Sequence, residues 1–269
     1  MIMRSVATSF LLYLILSFQT FAFAKNDIKT GLQLLPEGNP NVDGASPYLT
    51  YEFDLSKERF YIFVPKNYTG SQPFGVLVYL DPSNGAIMPP GWGDILQERK
   101  LIFISPMNAG NEQAVARRAG LAVISAYKLM EMANIDASRI YVSGLSGGAR
   151  IASYVSFIHP DLFTGVIAIC GTGFPSKVDR VKATMKDYDY GYFTIDDKLA
   201  EEAKERVRFV LVTGKNDFRY GNILDLYNGG FLKYDYAVKL LDVPGMGHAI
   251  CSPQTLGEGL DFLDMKRSK

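Results

Sequence analysis

The sequence predicts an α/β domain: a mostly parallel central sheet flanked by helices on both faces. Short, almost wholly apolar runs rich in β-branched and aromatic residues recur along the chain, as strands covered on both sides should. Segments of helical length and period lie between them, and this alternation is the mark of βαβ units. With 269 residues, of which 48% are apolar, 21% charged and 13% aromatic, the chain can bury a full core. The same mix excludes a disordered, collagen-like or coiled-coil protein. Lys plus Arg (28) equals Asp plus Glu (28), and no run gathers five like charges, so no footprint for nucleic acid is expected.

Residues 1–24 read as a signal peptide. Arg4 gives a positive start, an apolar run follows from Ser9 to Phe18, and Ala22-Phe23-Ala24 is an A-x-A cleavage site. The run is shorter than the roughly 20 residues of a bilayer-spanning helix. The expectation is therefore an exported protein, periplasmic or secreted, with a single domain over 25–269 and no stable membrane anchor after cleavage. Behind a polar lead at 25–47, strands are expected at 60–64, 75–80, 101–104, 140–142, 165–169, 207–212 and 236–241. Helices are expected at 112–133, 147–158, 197–206, 222–232 and 253–263. The stretch 172–196 is too long for an ordinary connection and suggests a lid-like insertion. Its aromatics, Phe174, Tyr188, Tyr190, Tyr192 and Phe193, either line a substrate pocket or pack the insertion onto the sheet.

The chemistry centres on Gly144-Leu145-Ser146-Gly147-Gly148, a G-x-S-x-G pattern between an expected strand and an expected helix. In a chain with 25 glycines the pattern alone is weak; the strand-turn-helix setting carries the reading. Such a turn lifts a serine hydroxyl above the sheet, and the helix N-terminus beneath offers N–H groups to an oxyanion. A serine needs a base, and the chain has two histidines. His159, in Ile158-His159-Pro160, falls at the opposite edge of the sheet as a capping or surface residue. His248 lies between the last strand and last helix, at the carboxyl edge where Ser146 points, and is the candidate base. Asp217, just past the 207–212 strand, is the candidate acid that orients it, with Asp225 the alternative.

Two cysteines, Cys170 and Cys251, fall on the same edge. An exported chain could bond them, but strands two places apart are separated by roughly 9.6 Å, beyond the disulfide reach of about 7 Å unless the loops lean together. With two histidines and no C-x-x-C, neither metal nor other cofactor is implied.

The run Asn134-Ile135-Asp136-Ala137-Ser138-Arg139-Ile140-Tyr141-Val142-Ser143-Gly144-Leu145-Ser146-Gly147-Gly148, with Phe163-Thr164-Gly165-Val166 behind it, resembles the α/β-hydrolase superfamily. More narrowly, it is similar to the secreted polyhydroxybutyrate depolymerase, feruloyl esterase and esterase D group. The resemblance covers nearly the whole chain after residue 60. It implies a serine carboxylic ester hydrolase with Ser146, Asp217 and His248 in that order and a small-molecule or polymeric ester substrate. Leu145, Tyr190 and Tyr192 are candidate substrate contacts. One departure matters. The family's His-Gly pair after the strand that precedes the oxyanion loop is replaced by Leu80-Asp81-Pro82-Ser83-Asn84-Gly85. Pro82 has no N–H, so the oxyanion donors are expected from Ser83 or a neighbour and from Gly147, unless Asp81 points inward and opposes them. The residues leave open a serine peptidase with the same machinery, and a binding protein that retains the fold.

Overall fold

The computed structural model describes residues 28–35, 54–175 and 193–265. The expected leader at 1–24, and Tyr188, Tyr190 and Tyr192 of the expected insertion, lie outside them. Among the described residues no helix is long and apolar enough to cross a membrane.

The described strands are β1 (Gly31–Leu35), β2 (Phe60–Val64), β3 (Phe74–Leu80), β4 (Leu101–Pro106), β5 (Ile135–Leu145), β6 (Gly165–Ile169), β7 (Arg208–Thr213) and β8 (Val238–Asp242). They form one sheet in the order β1-β2-β4-β3-β5-β6-β7-β8. β1 pairs antiparallel with β2, and β2 with β4; every pairing from β4 through β8 is parallel. β3, β4 and β6 are buried along their whole length, which is why they read as unbroken apolar runs. The helices are α1 (Trp92–Glu98), α2 (Val115–Met132), α3 (Gly147–Ile158), α4 (Asp197–Arg206), α5 (Tyr220–Leu226) and α6 (Pro253–Leu263). One core layer packs residues of α2 and α3 against the sheet, and the other packs Trp92, Leu96, Leu256 and Leu260 of α1 and α6 on the opposite side.

Most expected elements lie within a few residues of their predicted places, and the differences have physical causes. β1 falls inside the expected polar lead because its pattern is inverted: Leu32 and Leu34 face outward on an edge strand. α1 is seven residues hemmed by Pro89, Pro90 and Gly91, too short to show a period, yet it buries Trp92 completely. β5 starts five residues before the expected 140, through a polar stretch in which Asp136 accepts from the Ser138 N–H and hydroxyl. The expected helix 222–232 starts at Tyr220 and passes into a π-helical turn over Tyr227–Leu232. Gly230 is needed there, because a Cβ would come within 2.9 Å of the Phe174 ring.

Phe174 settles with the packing alternative. It is 2% exposed and lies edge-on to Phe231 at 4.9 Å and to Phe157 at 5.8 Å. His159 keeps its expected capping position at the end of α3 but is not a surface residue: it is 1% exposed. Burial holds its imidazole pKa below 6.5, partly opposed by the charge of Asp161.

Candidate active site

The carboxyl ends of β5, β6, β7 and β8 lie side by side, so the loops that follow them converge. β5 ends at Leu145 and α3 begins at Gly147, leaving Ser146 alone in the turn with φ 56° and ψ −115°. A non-glycine residue rarely adopts that backbone. The Ser146 N–H donates to the Ile169 carbonyl of β6 at 2.8 Å, which anchors the turn to the sheet. The flanking glycines are required sterically: a Cβ on Gly144 would approach the Gly148 carbonyl carbon to 2.5 Å, and one on Gly148 would overlap the Leu80 carbonyl oxygen. Ser146 itself is 8% exposed. As the first residue of α3, Gly147 has an N–H without an intrahelical acceptor.

Asp217 follows β7 and His248 follows β8. Their loops are tied together by a parallel bridge between Asn216 and Gly247 and by Asn216 N–H donating to the Met246 carbonyl at 3.2 Å. The His248 Nδ1 meets Asp217 Oδ1 at 2.7 Å. The Asp217 side chain is fully buried, and both its oxygens are held: Oδ1 also accepts the Arg219 N–H at 3.0 Å, and Oδ2 accepts the Thr213 hydroxyl at 2.9 Å. Burial works against this carboxylate, but the hydrogen bonds from Arg219, His248 and Thr213 outweigh it and keep the carboxyl below its usual range. Asp225, the alternative acid, lies in α5 and is not the partner of His248. The Phe218 ring covers the imidazole at 4.1 Å between centroids.

Cys170, the residue after β6, joins the two halves of the site. Its backbone is also left-handed (φ 52°), and its thiol lies 3.5 Å from the Gly247 carbonyl and 3.4 Å from that of Ala249, on either side of His248. The next residue, Gly171, lies against the Ser146 carbonyl. The imidazole bonds to Asp217; the contact between such a base and its serine commonly closes only around substrate. Ligand atoms of Cys170, Asp217 and His248 lie within 4.8 Å of one another, a spacing a metal could use. Without a cation there, burial and the Asp217 charge push the Cys170 thiol up to about 12, and the thiol faces the two carbonyls as a hydrogen-bond donor. Cys170 and Cys251 are both free and buried, so the loops do not lean together into a disulfide. Cys251 instead offers its carbonyl to the Trp92 indole N–H at 3.3 Å.

The expected Ser83 donor requires correction. Its N–H donates to Asp81 Oδ1 at 2.7 Å and its hydroxyl to the same oxygen at 2.6 Å. Asp81 therefore closes its own turn, and the Ser83 N–H is engaged. The loop is pinned from the other side: Asn111 N–H donates to the Pro82 carbonyl at 2.8 Å, and Gly110 N–H to Asn84 Oδ1 at 3.1 Å. The same contact carries the Asn111 side-chain amide over Gly147, where a Cβ would overlap Oδ1. Sequence reasoning missed Asn111 because no local motif surrounds it.

A cavity of about 630 Å³ opens beside Gly147, lined also by Asn111, Arg118, Arg150, Tyr154 and Phe193. Phe193 thus has a wall position as well as an edge-on contact with Tyr154 at 5.0 Å. Leu145 does not line this cavity and packs beside the Trp92 core layer.

The sequence matches no family model and no curated protein. Solved structures do share its architecture. S-formylglutathione hydrolase from Staphylococcus aureus superposes with a TM-score of 0.57 at 14% identity, covering 77% of this chain and 92% of that one. Est1E from Butyrivibrio proteoclasticus gives 0.55 at 13%, covering 77% and 95%. The feruloyl esterase module from Clostridium thermocellum gives 0.55 at 13%, covering 71% and 77%. The sheet order, the strained serine turn and these neighbours together establish that the chain has the α/β-hydrolase fold.

Proposed function

We propose that the protein is an exported serine hydrolase acting on carboxylic esters through an acyl-enzyme on Ser146. The observation that carries this reading is the Asp217–His248 hydrogen bond at 2.7 Å, built on the loops beside the strained Ser146 turn. Because Nδ1 is committed to Asp217, Nε2 is the nitrogen left to take the Ser146 proton. The serine oxygen attacks the ester carbonyl, and negative charge gathers on the carbonyl oxygen. Gly147 N–H at the start of α3 is one donor to it. With the Ser83 N–H engaged by Asp81, the Asn111 side-chain amide is the second, since rotation about its last bond turns Nδ2 toward the space before Gly147. The imidazolium then gives its proton to the departing alcohol. Water, deprotonated by the same nitrogen, releases the acid and frees Ser146. Asp217 holds the imidazole in place and stabilises its charged form, and Cys170 steadies the loop on both sides of it.

The resemblance of residues 134–148 to the depolymerase and feruloyl esterase group, and the names of the two esterases among the structural neighbours described above, favour an ester over an amide. Export rests on the 1–24 leader, with a mature chain from Lys25. The test is intact mass of the mature protein after exposure to a fluorophosphonate, with Ser146→Ala and His248→Ala alongside. One adduct on the wild type, lost in both variants, is the expected result. A folded wild type that takes no adduct would overturn the reading and favour a binding role for the fold.

A further inference from the structure

We infer that the cavity beside Gly147 is a subsite for an anionic group, carboxylate or phosphate, carried by the substrate; as a statement about substrate it rests on Ser146 being the nucleophile. Three arginines, Arg118, Arg150 and Arg219, line this cavity. Arg118 is 5% exposed. Its Nε donates to the Ala109 carbonyl at 2.8 Å, while its Nη2 is buried with no hydrogen-bond partner. The chain treats other half-buried arginines differently. Arg117 forms a two-pronged pair with Glu58 at 2.8 and 2.7 Å, and Arg139 does the same with Asp264 at 2.7 and 2.9 Å. A buried cationic donor left unsatisfied is costly.

Burial, followed by the charge of Arg150, pushes the Arg118 pKa down to about 10, as expected of two cations sharing one enclosure. Their placement on the helices points the same way. Arg118 and Arg150 are each the fourth residue of their helices, α2 and α3, where the macrodipole disfavours positive charge and favours a bound anion. Arg150 and Arg219 also line a narrower cleft with Gly171, which touches the Ser146 carbonyl. The basic cluster thus lies between the serine turn and the acid loop, within one substrate's reach of the reacting carbonyl. Guanidinium forks match carboxylate and phosphate oxygens, and Ile151, Tyr154 and Phe193 supply an apolar wall for the chain that carries them.

The test compares kcat/KM for mono(4-nitrophenyl) glutarate with 4-nitrophenyl pentanoate, placing charge on the acyl side. A second pair, 4-acetoxybenzoate and its methyl ester, places charge on the alcohol side. Wild type is expected to prefer the charged member of at least one pair. Arg150→Gln and Arg118→Gln are expected to lower that charged-to-neutral ratio by about 10- to 100-fold, the range for a hydrogen bond to a charged group. Arg150→Gln guards against misfolding of the more buried Arg118 variant. In parallel, glutarate and inorganic phosphate are titrated calorimetrically into Ser146→Ala and into Ser146→Ala carrying Arg150→Gln. Binding that weakens in the double variant supports the subsite, and the tighter of the two ligands identifies the anion. A ratio unmoved in both arginine variants, with no anion binding to Ser146→Ala, would overturn it. Anion binding without a fluorophosphonate adduct on wild type would keep the subsite and remove the hydrolase reading, so the two fail separately.

Discussion

Replacing Asn111 by Ala separates the proposed oxyanion arrangement from the one the sequence suggests. The backbone of residue 111 is held by its N–H to the Pro82 carbonyl at 2.8 Å, a contact that the substitution leaves in place. What is lost is the amide lying over Gly147. A side-chain donor to a developing oxyanion contributes roughly 2.7–4 kcal/mol in the transition state, or about 10²–10³ in kcat. The ground-state carbonyl gains much less from it, so KM should stay within about threefold. Asn111→Asp should fall further, because a carboxylate beside the oxyanion repels it. The assay is steady-state hydrolysis of 4-nitrophenyl butyrate, with the rate of fluorophosphonate labelling as a second reading of the same hole. Melting temperature serves as the check on folding. If Asn111→Ala keeps kcat within about threefold of wild type, the second donor lies elsewhere, and the backbone of the Asp81–Gly85 loop must rearrange on binding to supply it.

Other perturbations test neighbouring parts of the structure. Asp217→Asn should preserve the fold yet lower kcat by about 10⁴-fold, because the amide favours the wrong imidazole tautomer; pre-steady-state acylation would show the loss, and a drop under about tenfold would reassign the acid. Gly148→Ala forces a Cβ onto the Leu80 carbonyl oxygen and should cost about 1–3 kcal/mol or more in urea denaturation. His159 is held below its unfolded value of 6.5, so the unfolded chain binds the extra proton and stability should decline as pH falls below that value. His159→Gln should flatten that part of the stability–pH curve, and an unchanged slope would place the titration elsewhere. For Asp217 the folded value is depressed, so its contribution is full above about pH 4 and lost as pH falls through the folded value.

The placement of Ser146, Asp217 and His248 at one edge of the sheet was readable in the sequence because each follows a strand whose position the pattern fixes. The choice of His248 over His159 also follows from strand order, since the two lie at opposite ends of their strands. Asn111 and the arginines were not readable in the same way. Asn111 meets Gly147 only because the Pro82 carbonyl holds it there across the tops of β3 and β4. Arg118 and Arg150 come from different helices, and their one local trace is a cation in a first helical turn, a weak signal among 28 basic residues. The Ser83 donor failed for a reason the sequence did contain. An Asp two residues before a Ser, as at Asp136 and Ser138, closes the same kind of turn and occupies the Ser N–H.

The departure at Asp81 takes on a different meaning beside Ser146 and Cys170. These two left-handed residues follow adjacent central strands, and each costs of order 1–3 kcal/mol. Strain of that size persists only where the surroundings overdetermine it, and here they do. Ser146 is held by the Ile169 carbonyl, Cys170 N–H donates to the Val212 carbonyl at 2.8 Å, and β6 is buried throughout. The Asp81 loop, by contrast, is closed by its own side chain and by bonds to residues 108–111. The strained half of the site is therefore built on the sheet, where its geometry is fixed before substrate arrives. The half that departs from the family pattern is built on loops, where a side chain such as Asn111 can take over a donor's role without disturbing the strands. Under the proposed mechanism, divergence at Asp81-Pro82 leaves the strained serine turn untouched because it falls on the half of the structure that does not store the strain.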